Sequence, residues 1–295
     1  MNRLAHLIDL VIGRLERAEM LDRIADPVGT AVGAIVPAGP VKDLASGTPT
    51  AHPVHPPLTD LTIGTLSAAA ILDLVRGDAR TTRRLLGIGV VAALPTVYAG
   101  ASDWAHTTGA ERRVGLVHAA INAVALSCFS ASWWSRRRGR TPAGVGMSLA
   151  GSALLAASGV IGGHLAYGMG VGVDTTAFQH LDLDWTDVAA EAEVPATGAL
   201  GVHAAGIPVL LARHEGRIVA LADRCTHRGG PLHEGTVERG CVQCPWHGSR
   251  FRLHDGSVDR GPAVRAQPVL QTRVVAGRVQ VSRTEPRSLR SRPVN

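Results

Sequence analysis

The chain has 295 residues and a formal net charge of +6; 45% of its residues are hydrophobic, 3% aromatic and 18% charged. Ordinary soluble domains carry about 25% charged residues, so this composition argues against a disordered chain and against a purely soluble one. Four cysteines are too few for a disulfide scaffold of this length, which points to metal binding instead. Lys42 is the single lysine among the basic residues. Position along the chain decides whether the arginines serve nucleic acid, a membrane surface or cytoplasmic loops.

Residues 1–24 place Leu7, Ile8, Val11, Leu15, Ala18 and Leu21 at helical spacing, with Arg3, Arg14, Glu16, Arg17 and Glu19 on the other side. The spacing predicts an amphipathic helix, lying on a membrane or packed on the rest of the protein. Asp9 interrupts the apolar part, which argues against a signal peptide. Residues 37–57 are rich in Pro, Gly and Thr and read as a linker.

Four apolar spans follow at 57–75, 85–104, 114–134 and 143–168, each near the roughly 20 residues needed to cross a hydrocarbon core. Trp104, Trp133, Trp134 and Tyr167 fall at span ends, where amphipathic rings prefer to sit. The fourth span is rich in Gly, Ser and Ala, which permits close helix approach in lipid. Arg76, Arg80, Arg83 and Arg84 occupy the first short loop and Arg136, Arg137, Arg138 and Arg140 the third, whereas the stretch after the last span is acidic. The positive-inside rule then makes loops one and three cytoplasmic and the C-terminal region exoplasmic, in a multi-pass protein of the cell membrane. Topology accounts for most of the basic balance, and no aromatic-interleaved basic patch supports a nucleic-acid partner. The Ser135-Arg136-Arg137 run also has two readings, ordinary positive-inside charge or the start of a twin-arginine export signal.

From 188 onward the pattern turns all-β, with strand-like runs at Ile207–Leu211, Ile218–Leu221, Val264–Leu270, Thr272–Val275 and Val279–Val281. Two loops interrupt it: Cys225-Thr226-His227-Arg228-Gly229-Gly230-Pro231 and Cys244-Pro245-Trp246-His247-Gly248-Ser249. Each supplies one thiol and one imidazole. Two thiolates can hold one iron of a [2Fe–2S] cluster and two imidazoles the other; zinc is the main alternative for two Cys and two His, although its paired ligands are usually spaced more widely than C-x-H. The glycines let backbone N–H groups approach cluster sulfurs. Cys241 reads as a strand cysteine and Cys128 as packing within the third span.

These two motifs, with the later Gly261-Pro262-Ala263 loop, resemble the Rieske family over about 188–284. The resemblance implies a [2Fe–2S] cluster on Cys225, His227, Cys244 and His247, lined by Gly229, Gly230, Trp246, Gly248 and Ser249 and covered by the Pro262 loop. Its quinol-oxidising branch has an extra cysteine in each loop, joined as a disulfide; here Gly230 and Trp246 stand at those places. That branch also has a serine and a tyrosine bonded to the cluster sulfurs; Ser249 is present, but Phe251 replaces the tyrosine. Loss of a donor to sulfur lowers the potential, so the site resembles ferredoxins and the ferredoxin-like domains of oxygenases. No oxygenase catalytic segment follows it. Reduction adds negative charge and is expected to raise the pKa of both histidines, coupling electron and proton uptake.

The stretch from His52-Pro53-Val54-His55-Pro56-Pro57 to His164 and Gly170 resembles an uncharacterised bacterial family of four-helix membrane domains. The topology places His52, His55, His106, His118 and His164 toward the outer face. Ionisable groups in spans are functional candidates, so His55, His118 and His164 are candidates for haem, another metal or a quinone headgroup. The competing reading makes them interfacial or bonded to neighbouring helices. Asp60 lies on the same side, where a proton path is conceivable, and Asp73 at the opposite end meets water or Arg76.

The expected layout is an amphipathic helix and linker (1–50), a four-span transmembrane domain (51–174), an acidic linker (175–187), a Rieske domain (188–284) and a basic tail (285–295). The fold class is a four-helix transmembrane bundle followed by an all-β iron–sulfur domain. The expected function is one-electron transfer, ferredoxin-like, between a membrane electron donor and a redox partner protein, with no substrate-converting site. The alternatives are a subunit of a membrane oxidoreductase complex with haem or quinone on the helices, and a redox-sensing membrane protein.

Overall fold

The computed structural model describes residues 3–283, and the basic tail at 285–295 lies outside the described residues. Seven α-helices come first: α1 (Arg3–Glu16), α2 (Asp22–Ile35), α3 (Pro40–Ser46), α4 (His55–Leu74), α5 (Ala79–Trp104), α6 (Gly109–Arg137) and α7 (Thr141–Gly163). Ten strands follow: β1 (Leu183–Ala190), β2 (Ala199–Ala204), β3 (Ile207–His214), β4 (Arg217–Ala222), β5 (Thr236–Glu238), β6 (Cys241–Gln243), β7 (Arg250–Arg252), β8 (Val258–Arg260), β9 (Val269–Val275) and β10 (Arg278–Arg283). They form two compact units. The helical unit takes the chain up to Pro37 together with Val54–Gly172; the β unit takes Ala38–Pro53 and the chain from Val173 onward.

In the helical unit, the core is Leu66 and Ala69 of α4, Leu86 of α5, and Ala125 and Phe129 of α6. Small residues set the spacing. A Cβ at Gly89 would lie 2.6 Å from Leu66, and one at Gly151 would lie 3.1 Å from the Phe129 ring, so the helices approach at glycine as lipid-embedded pairs do. Leu61, Ile71, Ile88, Val91, Leu94, Val97 and Val124 remain exposed. An apolar exterior of this kind fits hydrocarbon and is unfavourable in water. Helices α5, α6 and α7 are long and apolar enough to cross a membrane. Helix α4, expected as the first span, is 20 residues long and carries Thr59, Asp60, Thr62, Thr65 and Asp73 among its apolar residues.

Polar groups inside this unit bond across helices. Thr62 and Thr96 hydroxyls meet at 2.9 Å, and Ser132 Oγ donates to Gly144 O at 2.6 Å. Asp73, expected to meet water or Arg76, instead accepts from Arg136 Nη2 at 2.7 Å, with both side chains almost fully buried. Arg136 also donates from Nε to Ser132 Oγ, so it is an internal residue of the bundle and not only a loop charge. The amphipathic segment bonds the bundle at its C-terminal end, while Leu7, Val11, Met20 and Ile24 stay exposed. Arg113 of α6 donates to Glu16 O at the end of α1 and to Asp22 Oδ2 at the start of α2.

The β unit has a six-stranded antiparallel sheet of order β1-β10-β9-β4-β3-β2 and a four-stranded sheet of order β5-β6-β7-β8. Leu211, Ala220, Leu270, Val279 and Val281 fill one core; Leu210, Leu221, Leu232, Val242, Phe251 and Leu253 fill a second, which also encloses Cys225 and Cys244. Two expected linkers are structured. Residues 40–46 form α3, because Pro40 suits the first helical turn and Gly47, at φ +89°, ends it. Residues 183–187 of the acidic segment belong to β1, which pairs with β10; its acids face outward on a sheet edge, and Asp187 bonds Arg278. Residues 264–268 precede β9 instead of forming a strand, and β9 runs unbroken through 269–275.

Removing one partner of a nearly dry ion pair leaves an uncompensated charge and costs about 3–5 kcal/mol. Asp73→Ala should therefore lower the thermal stability of the protein in detergent by about that amount, and Asp73→Ala/Arg136→Ala by less than the sum of the single changes. Thermal melts of the four species measure the coupling.

Candidate metal centre

The two motif loops share one backbone design. In the first, Cys225 N–H donates to Gly230 O at 2.9 Å and Gly229 N–H to Cys225 O at 2.8 Å. In the second, Cys244 N–H donates to Ser249 O at 2.8 Å and Gly248 N–H to Cys244 O at 3.1 Å. The residue four after each cysteine is a glycine in the left-handed region, Gly229 at φ +77° and Gly248 at φ +75°, where a side chain is disfavoured. The histidine sits two residues after the first cysteine and three after the second.

The loops bring the four sequence-derived donors together as two like pairs. The Cys225 and Cys244 thiols hydrogen-bond each other, and the His227 and His247 rings lie edge to face with centroids 5.0 Å apart. Both cysteines are free thiols, 1% and 2% exposed. Sharing a proton across this contact, with burial, pushes Cys225 up; the same contact, with N–H groups of Trp246 and His247, holds Cys244 down. His227 and Arg228 N–H groups likewise point at Cys225 Sγ. Burial, followed by the charges of Arg228 and Lys42, lowers His247 to about 4, which keeps the imidazole neutral as a metal ligand requires. Among the described residues no three His, Cys, Asp or Glu side chains are grouped to hold a single ion. A sulfur pair beside an imidazole pair fits two irons with one pair each, and fits poorly with four ligands converging on one zinc.

The expected lining residues sit at this end. A Cβ at Gly230 would lie 3.0 Å from both Cys244 Sγ and the Trp246 ring, so the two positions that differ from the quinol-oxidising pattern are neighbours, with the indole against bare backbone. Ser249, fully buried, accepts at Oγ from Ala263 N–H at 3.0 Å, which ties the buried Pro262 loop to the second motif loop.

Several supporting residues were not apparent from the motifs. The Gln267 side chain, 1% exposed, accepts from Thr226 N–H and donates to Arg224 O. Asp223 accepts from His233 N–H at 2.7 Å and pairs with its ring at 2.6 Å. Thr175 Oγ1 donates to Cys225 O. From α3 and the turn after it, Asp43 and Thr48 bond the Pro262 loop. Their signals were local (a polar residue near Pro or Gly), while their partners are distant in sequence.

The membrane histidines make polar contacts within the helical unit. His55 Nδ1 bonds Thr96 O, and His118 Nδ1 meets Ser158 O while its Nε2 faces the Asn122 amide at 3.0 Å. His164 Nε2 pairs with Glu16 Oε1 at 2.8 Å. These are helix-to-helix and same-helix polar bonds.

Residues 184–275 match the family profile described as Rieske [2Fe-2S] domain, and residues 51–175 that described as predicted membrane protein (DUF2231). The chain is 46% identical over 76 residues to the iron-sulfur subunit of a toluene-4-sulfonate monooxygenase system of Comamonas testosteroni, covering 25% of this chain and 22% of that protein. It is 37% identical over 103 residues to cytochrome b6-f complex iron-sulfur subunit 3 of Nostoc sp., covering 33% and 57%. It is 33% identical over 75 residues to the anthranilate 1,2-dioxygenase ferredoxin subunit of Burkholderia cepacia, covering 25% and 69%. The chain thus spans less than a quarter of the monooxygenase subunit and little more than half of the b6-f subunit. The paired-donor loops and these matches together place the chain in the Rieske [2Fe-2S] family, whose domain is here joined to a DUF2231 membrane domain.

Proposed function

We propose that Cys225 and Cys244 hold one iron of the cluster, that His227 and His247 hold the other, and that the chain is a membrane-anchored one-electron carrier of the ferredoxin type. The observation that carries this reading is the division of the four donors into a thiol pair and an imidazole pair on two matching loops. The cluster supplies a one-electron couple. The protein's own groups do the rest. N–H groups of His227, Arg228, Trp246 and His247 aim at the cysteine sulfurs and offset negative charge there. Buried Leu232, Val242 and Phe251 keep water from the sulfur side, and the partly buried His227 and His247 rings, less enclosed than the cysteines, offer the electron a route to a partner.

The ferredoxin-like type is supported by two departures. Phe251, fully buried, has no hydroxyl to donate to a sulfur, and the Gly230–Trp246 contact stands where the other branch has its disulfide. The partner is then a soluble or membrane redox protein, and the arginines clustered around the α4–α5 and α6–α7 turns favour an exoplasmic β unit.

Purified full-length protein in detergent should give a rhombic low-temperature EPR signal on reduction. Cys225→Ser and His247→Ala should each abolish it; retention of the signal in both variants would refute the ligand assignment. Gly230→Val should lose most of its cluster while keeping its β-sheet circular dichroism, because the added methyl groups enter the space of Cys244 Sγ and the Trp246 ring. Ser249→Ala should keep the cluster but lower its midpoint potential, as a redox titration of the EPR signal would report.

A further inference from the structure

The segment that precedes α4 in sequence lies on the cluster end of the β unit. Gly261 N–H donates to Asp43 Oδ1 at 3.0 Å, and Thr48 Oγ1 donates to Ala263 O at 3.1 Å. No side chain fits at Gly261, since a Cβ there would lie 2.8 Å from Asp43 Oδ1. Ala263 N–H donates in turn to Ser249 Oγ, two residues after His247. A continuous hydrogen-bonded path therefore runs from α3 through the Pro262 loop to the second motif loop.

Lys42 stands next to Asp43 in α3 and is 5% exposed. Lysine is among the residues least often buried. An ammonium is also the more strongly hydrated cation, and arginine is the usual choice for buried charge. Yet this chain places its single lysine here and uses arginine for every other basic side chain. The Lys42 charge acts on the His247 ring, together with that of Arg228, which lies on the first motif loop itself.

We propose that the charges carried by α3, Lys42 foremost, set the reduction potential of the centre. The inference rests on the ligand assignment given above. Reduction adds one negative charge to the centre. A cation held nearby, away from water, stabilises the reduced form through a Coulomb interaction that solvent and salt screen little. The potential rises accordingly. Asp43 carries the opposite sign on the same turn and acts in the opposite direction, more weakly because its side chain reaches solvent. Lys42 is here a positioning charge and not a ligand.

The test uses full-length protein in detergent, with EPR reporting cluster content and line shape and a redox titration of that signal reporting the potential. Lys42→Gln should shift the reduction equilibrium about tenfold toward the oxidised form, ~59 mV lower for one electron, while Lys42→Arg stays near wild type. Asp43→Asn keeps an acceptor for Gly261 N–H and should raise the potential. A Lys42→Gln protein with wild-type line shape and unmoved potential overturns the proposal. If Lys42→Gln fails to retain its cluster, Asp43→Asn decides: a rise supports the proposal and an unmoved potential overturns it. Wild-type protein without the EPR signal would overturn the ligand assignment as well, which separates the two failures.

Discussion

The centre depends on a backbone constraint repeated twice. Each motif cysteine donates its N–H to a carbonyl five residues on and accepts at its own carbonyl from an N–H four residues on. That closure forces the fourth residue into the left-handed region, which Gly229 and Gly248 adopt without strain. It also turns the intervening N–H groups inward, toward sulfur. The histidine stands two residues after the cysteine in the first loop and three after it in the second. Sulfur and imidazole pairs then follow from geometry, and the hydrophobic core around Leu210, Leu221 and Phe251 keeps the sulfur side dry.

The helical unit obeys a different constraint. Its outer surface is apolar, so its interior must satisfy every polar group without help from water. Many are satisfied by side chains that bond backbone carbonyls of neighbouring helices, as Ser132 does with Gly144 and His55 with Thr96. Glycines opposite Leu66 and Phe129 bring those helices close enough for such bonds. The histidines that drew attention in the sequence fall under the same rule: His118 lies between Ser158 and Asn122, and His164 meets Glu16. An ionisable residue in an apolar span signals a polar partner first, and only the three-dimensional arrangement tells a structural partner from a ligand.

What was legible in the sequence follows from this contrast. The four donors were legible because their chemistry is concentrated in two short runs, and the spans because hydrophobicity persists over many residues. Short strands were not: β5, β6, β7 and β8 have three residues each, too few for an alternating pattern. Strand β1 was hidden by the aspartates on its exposed edge. The segment around α3 was misjudged because Pro and Gly punctuate helices as well as linkers, and only its contacts with Gly261 and Ala263 separate the two cases. Asp73 was assigned to Arg76 by nearness in sequence, whereas its partner Arg136 stands two helices later.

The charges around the centre are unequal in a way that bears on its redox chemistry. Arg228 and Lys42 both act on His247, on the imidazole side. Asp223 acts on Cys244, on the sulfur side, and its carboxylate is held by the His233 N–H and ring. Positive charge therefore lies on the side of the two imidazoles, and negative charge on the side of the two cysteines, whose sulfurs receive N–H groups. With the ligand assignment proposed above, an added electron would be favoured toward the iron on the imidazole side, which would have no anionic ligand and would have the cations beside it. The imidazole rings are less enclosed than the cysteines. The cysteine sulfurs, by contrast, lie in the buried core.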